Sequence, residues 1–153
     1  MYRIHQVKLS EAVYDFVNGP EGGHTKTAEK FPEYNTHMEV MHRGSKGYTP
    51  EMFAHYTQVC VVKDFDGSTL EHVFKILNGY YFDEDTDTDE WFDAFVYGFK
   101  LRTITRKNGE VVTYRDMHSL SVGDIVEDTS TGEFHMVDGM GFKEVETNTL
   151  EVA

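Results

Sequence analysis

Gln58-Val59-Cys60-Val61-Val62-Lys63, running on into Asp64-Phe65-Asp66-Gly67 and Ser68-Thr69-Leu70, is the stretch that decides the fold class. Its apolar core is continuous, β-branched and too short for a helix. That pattern predicts a strand covered on both faces, central in its sheet, with Cys60 buried in it. Asp64 to Gly67 supplies turn residues in succession. Ser68 or Thr69 then caps a helix with Leu70, Val73, Phe74 and Leu77 on one side, stopped by Asn78-Gly79. A strand feeding a helix through a tight turn gives the first unit of a mixed fold.

Upstream, Tyr2 to Leu9 alternates loosely and predicts a first strand. Ser10 and Glu11 open a short helix through Val13, Phe16 and Val17, ended by Asn18-Gly19-Pro20. Thr25 caps another helical piece, and Glu33 to His42 sets Tyr34, Met38 and Met41 at helical spacing. Thr49-Pro50-Glu51 is a compact helix start, with an N-cap, a proline at the first position and an acid near the dipole. Downstream, Ala94 to Thr105 is aromatic and β-branched and predicts a strand, turned by Asn108-Gly109 into a return through Tyr114. The last third reads as β. Ile125-Val126 and Phe134 to Val137 pair across Ser130-Thr131-Gly132, and Gly139, Gly141 and Phe142 make a bend before Val145. Strand–helix units followed by antiparallel hairpins predict one α+β domain over residues 1–153.

Charge narrows the partners. The formal net charge is −13; residues 1–82 contribute −2 and residues 83–153 contribute −11. Such a surface repels phosphate backbones and anionic membranes, so direct nucleic-acid and membrane binding are not expected. It attracts basic proteins or metal cations, or serves solubility alone. Eleven Phe and nine Tyr among 153 residues are too much bulky apolar material for a disordered chain. A single cysteine, no apolar leader at Met1 to Gln6 and no run of about 18 apolar residues point to a reducing, cytoplasmic setting.

Met117-His118-Ser119-Leu120-Ser121-Val122-Gly123-Asp124-Ile125-Val126, then Met136-Val137-Asp138 and Gly141-Phe142, resembles the "S-x-S-V-G-D … V-D … G-F" ending of small bacteriophage and mobile-element proteins with YodL-like domains. Tyr2 to Val7 and Gly47 to Phe53 are similar to the same group. The resemblance delimits a β-rich tail at 117–146 and leaves residues 79–115 unmatched. It implies a phage-type source and an accessory role, and brings no catalytic residue or cofactor. Read physically, the tail needs no chemistry, because Gly123-Asp124 suits a turn before a strand and Gly141-Phe142 a bend that sends a ring into the core.

Two constellations invite a chemical reading. Asp64-Phe65-Asp66-Gly67-Ser68 after a strand resembles the first motif of haloacid-dehalogenase-type phosphatases, in which the first aspartate attacks phosphorus and the second is acid/base beside magnesium. Gly123-Asp124-Ile125-Val126-Glu127-Asp128 mimics that family's last acidic motif, making Asp64, Asp66, Asp124 and Asp128 the alternative catalytic set. Against it, residues 1–63 precede a motif that belongs on the first strand, and an Asn-Gly hairpin stands where a parallel sheet needs helices. The second constellation is Asp83, Asp85, Asp87 and Asp89. They alternate like calcium ligands, but Thr88 and Ala94 hold the positions where an EF-hand needs glycine and glutamate. With Glu84, Glu90 and Trp91, and with Tyr80, Tyr81, Phe82 and Phe92 beside them, they make an acidic, aromatic-bordered loop over 79–93. The composition suits a protein interface, or a solvated connector whose rings point inward. Eight histidines show no ligand spacing, and the basic island Lys100, Arg102, Arg106 and Lys107 is expected to pair with nearby carboxylates. The expectation is therefore a non-enzymatic phage accessory protein without cofactor, binding a basic host protein through Asp83 to Trp91. A small magnesium-dependent phosphatase-like enzyme is the alternative.

Overall fold

Tyr2, Ile4 and Gln6 alternate with Arg3, His5 and Val7 along the first strand, β1 (Tyr2–Val7), and both of its faces are covered. The structure, a computed structural model, describes residues 1–79 and 88–147, giving the backbone alone for Thr88, Asp89 and Trp91. After β1 come the helices α1 (Glu11–Asn18), α2 (His24–Lys30) and α3 (Pro32–Arg43). Two 3-10 turns follow at Gly44–Gly47 and Pro50–His55. Strand β2 (Tyr56–Val62) leads to α4 (Leu70–Asn78), then α5 (Thr88–Phe95) and the two-residue β3 (Val96–Tyr97). The hairpin β4 (Leu101–Thr105) and β5 (Val111–Arg115) precedes the closing meander β6 (Ile125–Asp128), β7 (Glu133–Asp138) and β8 (Gly141–Val145).

Six strands form one antiparallel sheet in the order β3-β2-β1-β6-β7-β8, and β4-β5 stand apart as a two-stranded arm. The pleat sorts side chains into two apolar layers. Ile4, Cys60, Val62, Val126 and Val137 meet Val73, Ile76 and Leu77 of α4 and Phe92 of α5. On the opposite face Ile125 and Met136 meet Val40 of α3, with Tyr48, Met52, Phe53 and Tyr56 around them. The fold is α+β, a sheet with helices on both faces.

Local signals hold well. Thr69 caps α4 through a reciprocal pair with His72, and Gly79 closes it in the left-handed conformation. Asn108-Gly109 turns the arm, and the meander occupies 125–145 as expected. Non-local expectations fare worse. The strand at Gln58 to Lys63 is not central: β2 has only the two-residue β3 outside it, and β1 and β6 hold the middle. Val59 to Val62 are buried as the apolar run requires, but burial on two faces does not fix a place in the strand order. Ala94 to Thr105 is not one strand. Phe92 and Phe95 sit at helical spacing in α5, and Gly98, at φ +74°, breaks the chain before the arm begins. The acidic 79–93 segment is helical from Thr88 onward. The cap of α2 is Gly23, with Thr25 inside its first turn, and α3 buries Tyr34, Thr36 and Val40 while Met41 is exposed. Phe142 lies within β8 and packs on the core from there; the bend falls before it, at Gly139-Met140.

Candidate functional site

At the far end of β1 the inward alternation places Gln6 after Tyr2 and Ile4, fully buried, where an amide must find partners. It finds them 112 and 118 residues away. Gln6 Oε1 accepts from the His118 backbone N–H at 3.2 Å, and Nε2 donates to the His118 carbonyl at 2.8 Å and to Asp124 Oδ2 at 3.1 Å. Asp124, 5% exposed, also accepts the Ser121 N–H at 2.9 Å. The Gly123-Asp124 turn is held from outside as well. Gly123 sits at φ +96° against Val40, a place with no room for a side chain, and its carbonyl accepts from Tyr56 Oη.

This clamp sets the histidine. With both Gln6 amide protons committed, His118 Nδ1 carries the ring proton and donates it to the Ser119 carbonyl at 2.7 Å, leaving Nε2 as the basic nitrogen. Asp124 Oδ2 stands 3.6 Å from Nδ1. Burial pushes the Asp124 carboxyl well above the usual carboxylate range, and His118 and the bonds from Ser121 and Gln6 pull the other way. His37 of α3 faces the same space, and burial and the neighbouring His118 lower its pKa.

Around these groups lies a cavity of about 310 Å³, roofed by the arm and walled by β1, α1, α3 and the loop Asp116 to His118. Lys8 pairs with Asp116, and Arg102 with Glu11 at 3.4 Å. Arg115 lays its guanidinium 3.6 Å from the ring centre of Phe92, with Phe99 at 5.8 Å. Of the basic island, Arg102 and Arg106 do pair with carboxylates, Glu11 and Glu110. Chemically the arrangement offers positive charge, a tautomer-fixed imidazole and two partly exposed rings, Tyr14 and Tyr114.

No family model, curated protein or solved structure matches this chain.

Most of the residues singled out from sequence fall elsewhere. Asp64 is exposed and accepts from the Met1 amino group at 2.8 Å, which holds its carboxyl low. Asp66 lies in the Phe65–Ser68 turn before α4. Asp128 faces Tyr2 across the sheet and accepts from Ser130. Asp124 lies beside Gln6, four residues along β1 from that level, which is about 13 Å at strand rise. The four carboxylates therefore do not converge, and among the described residues no three of His, Cys, Asp or Glu gather as metal ligands. Burial pushes the Cys60 thiol up to about 12, away from reactivity. Asp83, Glu84, Asp85 and Asp87 lie outside the described residues. Asp89, Glu90 and Trp91 are on α5, with Glu90 exposed. No described helix is long and apolar enough to cross a membrane.

Of the residues named from sequence, Asp124 and Arg102 reach this site, Asp124 beside Gln6 and His118 and not beside Asp64, Asp66 and Asp128. Gln6, His37 and His118 were missed. The available signal was Gln6 itself, a polar residue at an inward position after Tyr2 and Ile4.

Proposed function

We propose that this chain is a non-enzymatic accessory protein of a bacteriophage or related mobile element. It works in the host cytoplasm by binding a host protein with a basic surface, as an acidic decoy of nucleic acid. The supporting observation is the segregation of charge along the chain. Residues 83–99 carry −7 and residues 116–153 carry −8, while residues 100–115 carry +4. Seven like charges within Asp83 to Asp93 repel one another, so holding them together costs stability that a purely structural segment has no reason to spend. Dense acid steers a basic partner and raises its on-rate, and aromatics beside it anchor the complex. The working surface is Asp83, Glu84, Asp85, Asp87, Asp89, Glu90 and Trp91, with Glu90 and Asp93 exposed on α5. The phosphatase alternative loses ground because its four carboxylates are dispersed. The test is affinity capture from a bacterial lysate, identification of the bound protein, and competition with duplex DNA. A partner displaced by DNA supports the decoy; one that holds DNA and this protein together overturns it.

A further inference from the structure

Among the described residues, the half-open cavity beneath the arm gathers three cations around one hollow. Lys8, Arg102 and Arg115 line it against a single carboxylate, Asp116. The cations differ in availability. Lys8 is committed to Asp116. Arg102 is held only by Glu11, whose side chain is 84% exposed, so the pair is weak and readily exchanged. Arg115 forms no ion pair with a described residue. Its guanidinium carbon sits 3.6 Å from the centre of the Phe92 ring, a cation–π contact that uses none of its N–H donors. The buried Gln6–Asp124 clamp holds the His118 backbone, and the ring spends its Nδ1 on the Ser119 carbonyl, so Nε2 is left to face a ligand.

Tyr14 and Tyr114, 53% and 41% exposed, line the same hollow, large rings that the core does not use. Cationic forks and aromatic faces lining one hollow are complementary to a phosphate joined to a planar ring. The cavity volume of about 310 Å³ matches the lower end of small-molecule sites. A polyanion is disfavoured, since acidic stretches of −7 and −8 flank the arm in sequence and oppose a long phosphate backbone. The geometry points to a binding site for a mononucleotide, its phosphate held by Arg115, Arg102 and His118 and its base against Tyr14 or Tyr114. None of its lining residues belongs to the acidic segment proposed for a protein partner, so the titration below and the lysate capture succeed or fail separately.

Calorimetric titration of the full chain at low salt tests it, with adenosine and uridine monophosphates, the two nucleosides, inorganic phosphate and a single-stranded dT oligonucleotide as probes. At least one monophosphate should saturate at millimolar concentration or below, at least tenfold more tightly than its nucleoside or phosphate. Arg102→Gln and Arg115→Gln should each weaken it at least tenfold. Arg106→Gln, on the same arm but away from the cavity, should change it less than twofold. Arg102 is exposed, so its variant remains informative if Arg115→Gln disturbs the packing on Phe92. Absence of saturation, equal loss with Arg106→Gln, phosphate binding as well as the monophosphate, or preference for the oligonucleotide would each overturn the assignment.

Discussion

Replacing Asp124 separates two contributions that the structure combines in one carboxyl. Asp124→Ala takes an acceptor from the buried Gln6 Nε2 and removes the bond from the part-buried Ser121 N–H. A buried donor left unmade costs about 1–3 kcal/mol, and a bond lost beside it about 1 more. The expected loss is about 2–4 kcal/mol, or roughly 5–15 °C in melting temperature for a chain of this size. Asp124→Asn keeps an acceptor and removes the charge. Because burial raises the Asp124 pKa to about 7 in the folded chain, the folded state holds a proton that the unfolded state releases near 4. The sign follows. Stability from this group is full below pH 4 and is lost as pH rises through about 7. Between pH 5 and pH 8 the wild type should therefore lose about 2–3 kcal/mol relative to the Asn variant, whose side chain does not titrate. Urea unfolding followed by circular dichroism at both pH values measures this. An Ala variant as stable as the Asn variant, or a wild-type-minus-Asn difference that does not move with pH, would refute the burial argument.

Gly123→Ala should destabilise by about 2–5 kcal/mol, because a non-glycine residue at φ +96° is strained and its Cβ would stand 2.8 Å from Val40 Cγ2. Gly132→Ala, at φ +76° with open space around it, should cost only about 1–2 kcal/mol. Equal losses in thermal melts would show that the approach of α3 is not what fixes Gly123. Thr69→Ala should cost about 1 kcal/mol by removing the cap of α4, and hydrogen exchange should show the first turn of that helix opening. A larger loss, on the scale of the whole fold, would mean that the cap does more than end a helix.

What could be read from sequence was what neighbouring residues decide. Asn108-Gly109, Thr69 with His72 three residues on, and the tail's regularly spaced turns each carry their instruction within a few positions. The order of strands does not. Val59 to Val62 are the most apolar run in the sheet, yet the centre went to β1, whose Gln6, His5 and Arg3 disguise it. Gln6 looks like a surface residue until His118 and Asp124 arrive from the other end of the chain to satisfy it. Most of α5 reads as an acidic loop by its charge and only its end, Ala94-Phe95, as the start of a strand, while the spacing of Phe92 and Phe95 already favours a helix. The cavity shared by His37 and His118 depends on such long-range closure, so no local spacing of histidines announced it.

The central claim is that this chain binds a basic partner through its acidic segment. The most direct test is association kinetics with the captured partner on a biosensor, at about 0.05 M and about 0.5 M salt, for the wild type and for a variant with Asp83, Asp85, Asp87 and Asp89 all changed to Asn. Screening over a Debye length of several ångströms should slow wild-type association at least about 10-fold at high salt, and the variant should be slow at both, with an unchanged fold. Trp91→Ala should chiefly speed dissociation. An association rate indifferent to both salt and the fourfold substitution would contradict the account and leave the acidic segment a device for solubility.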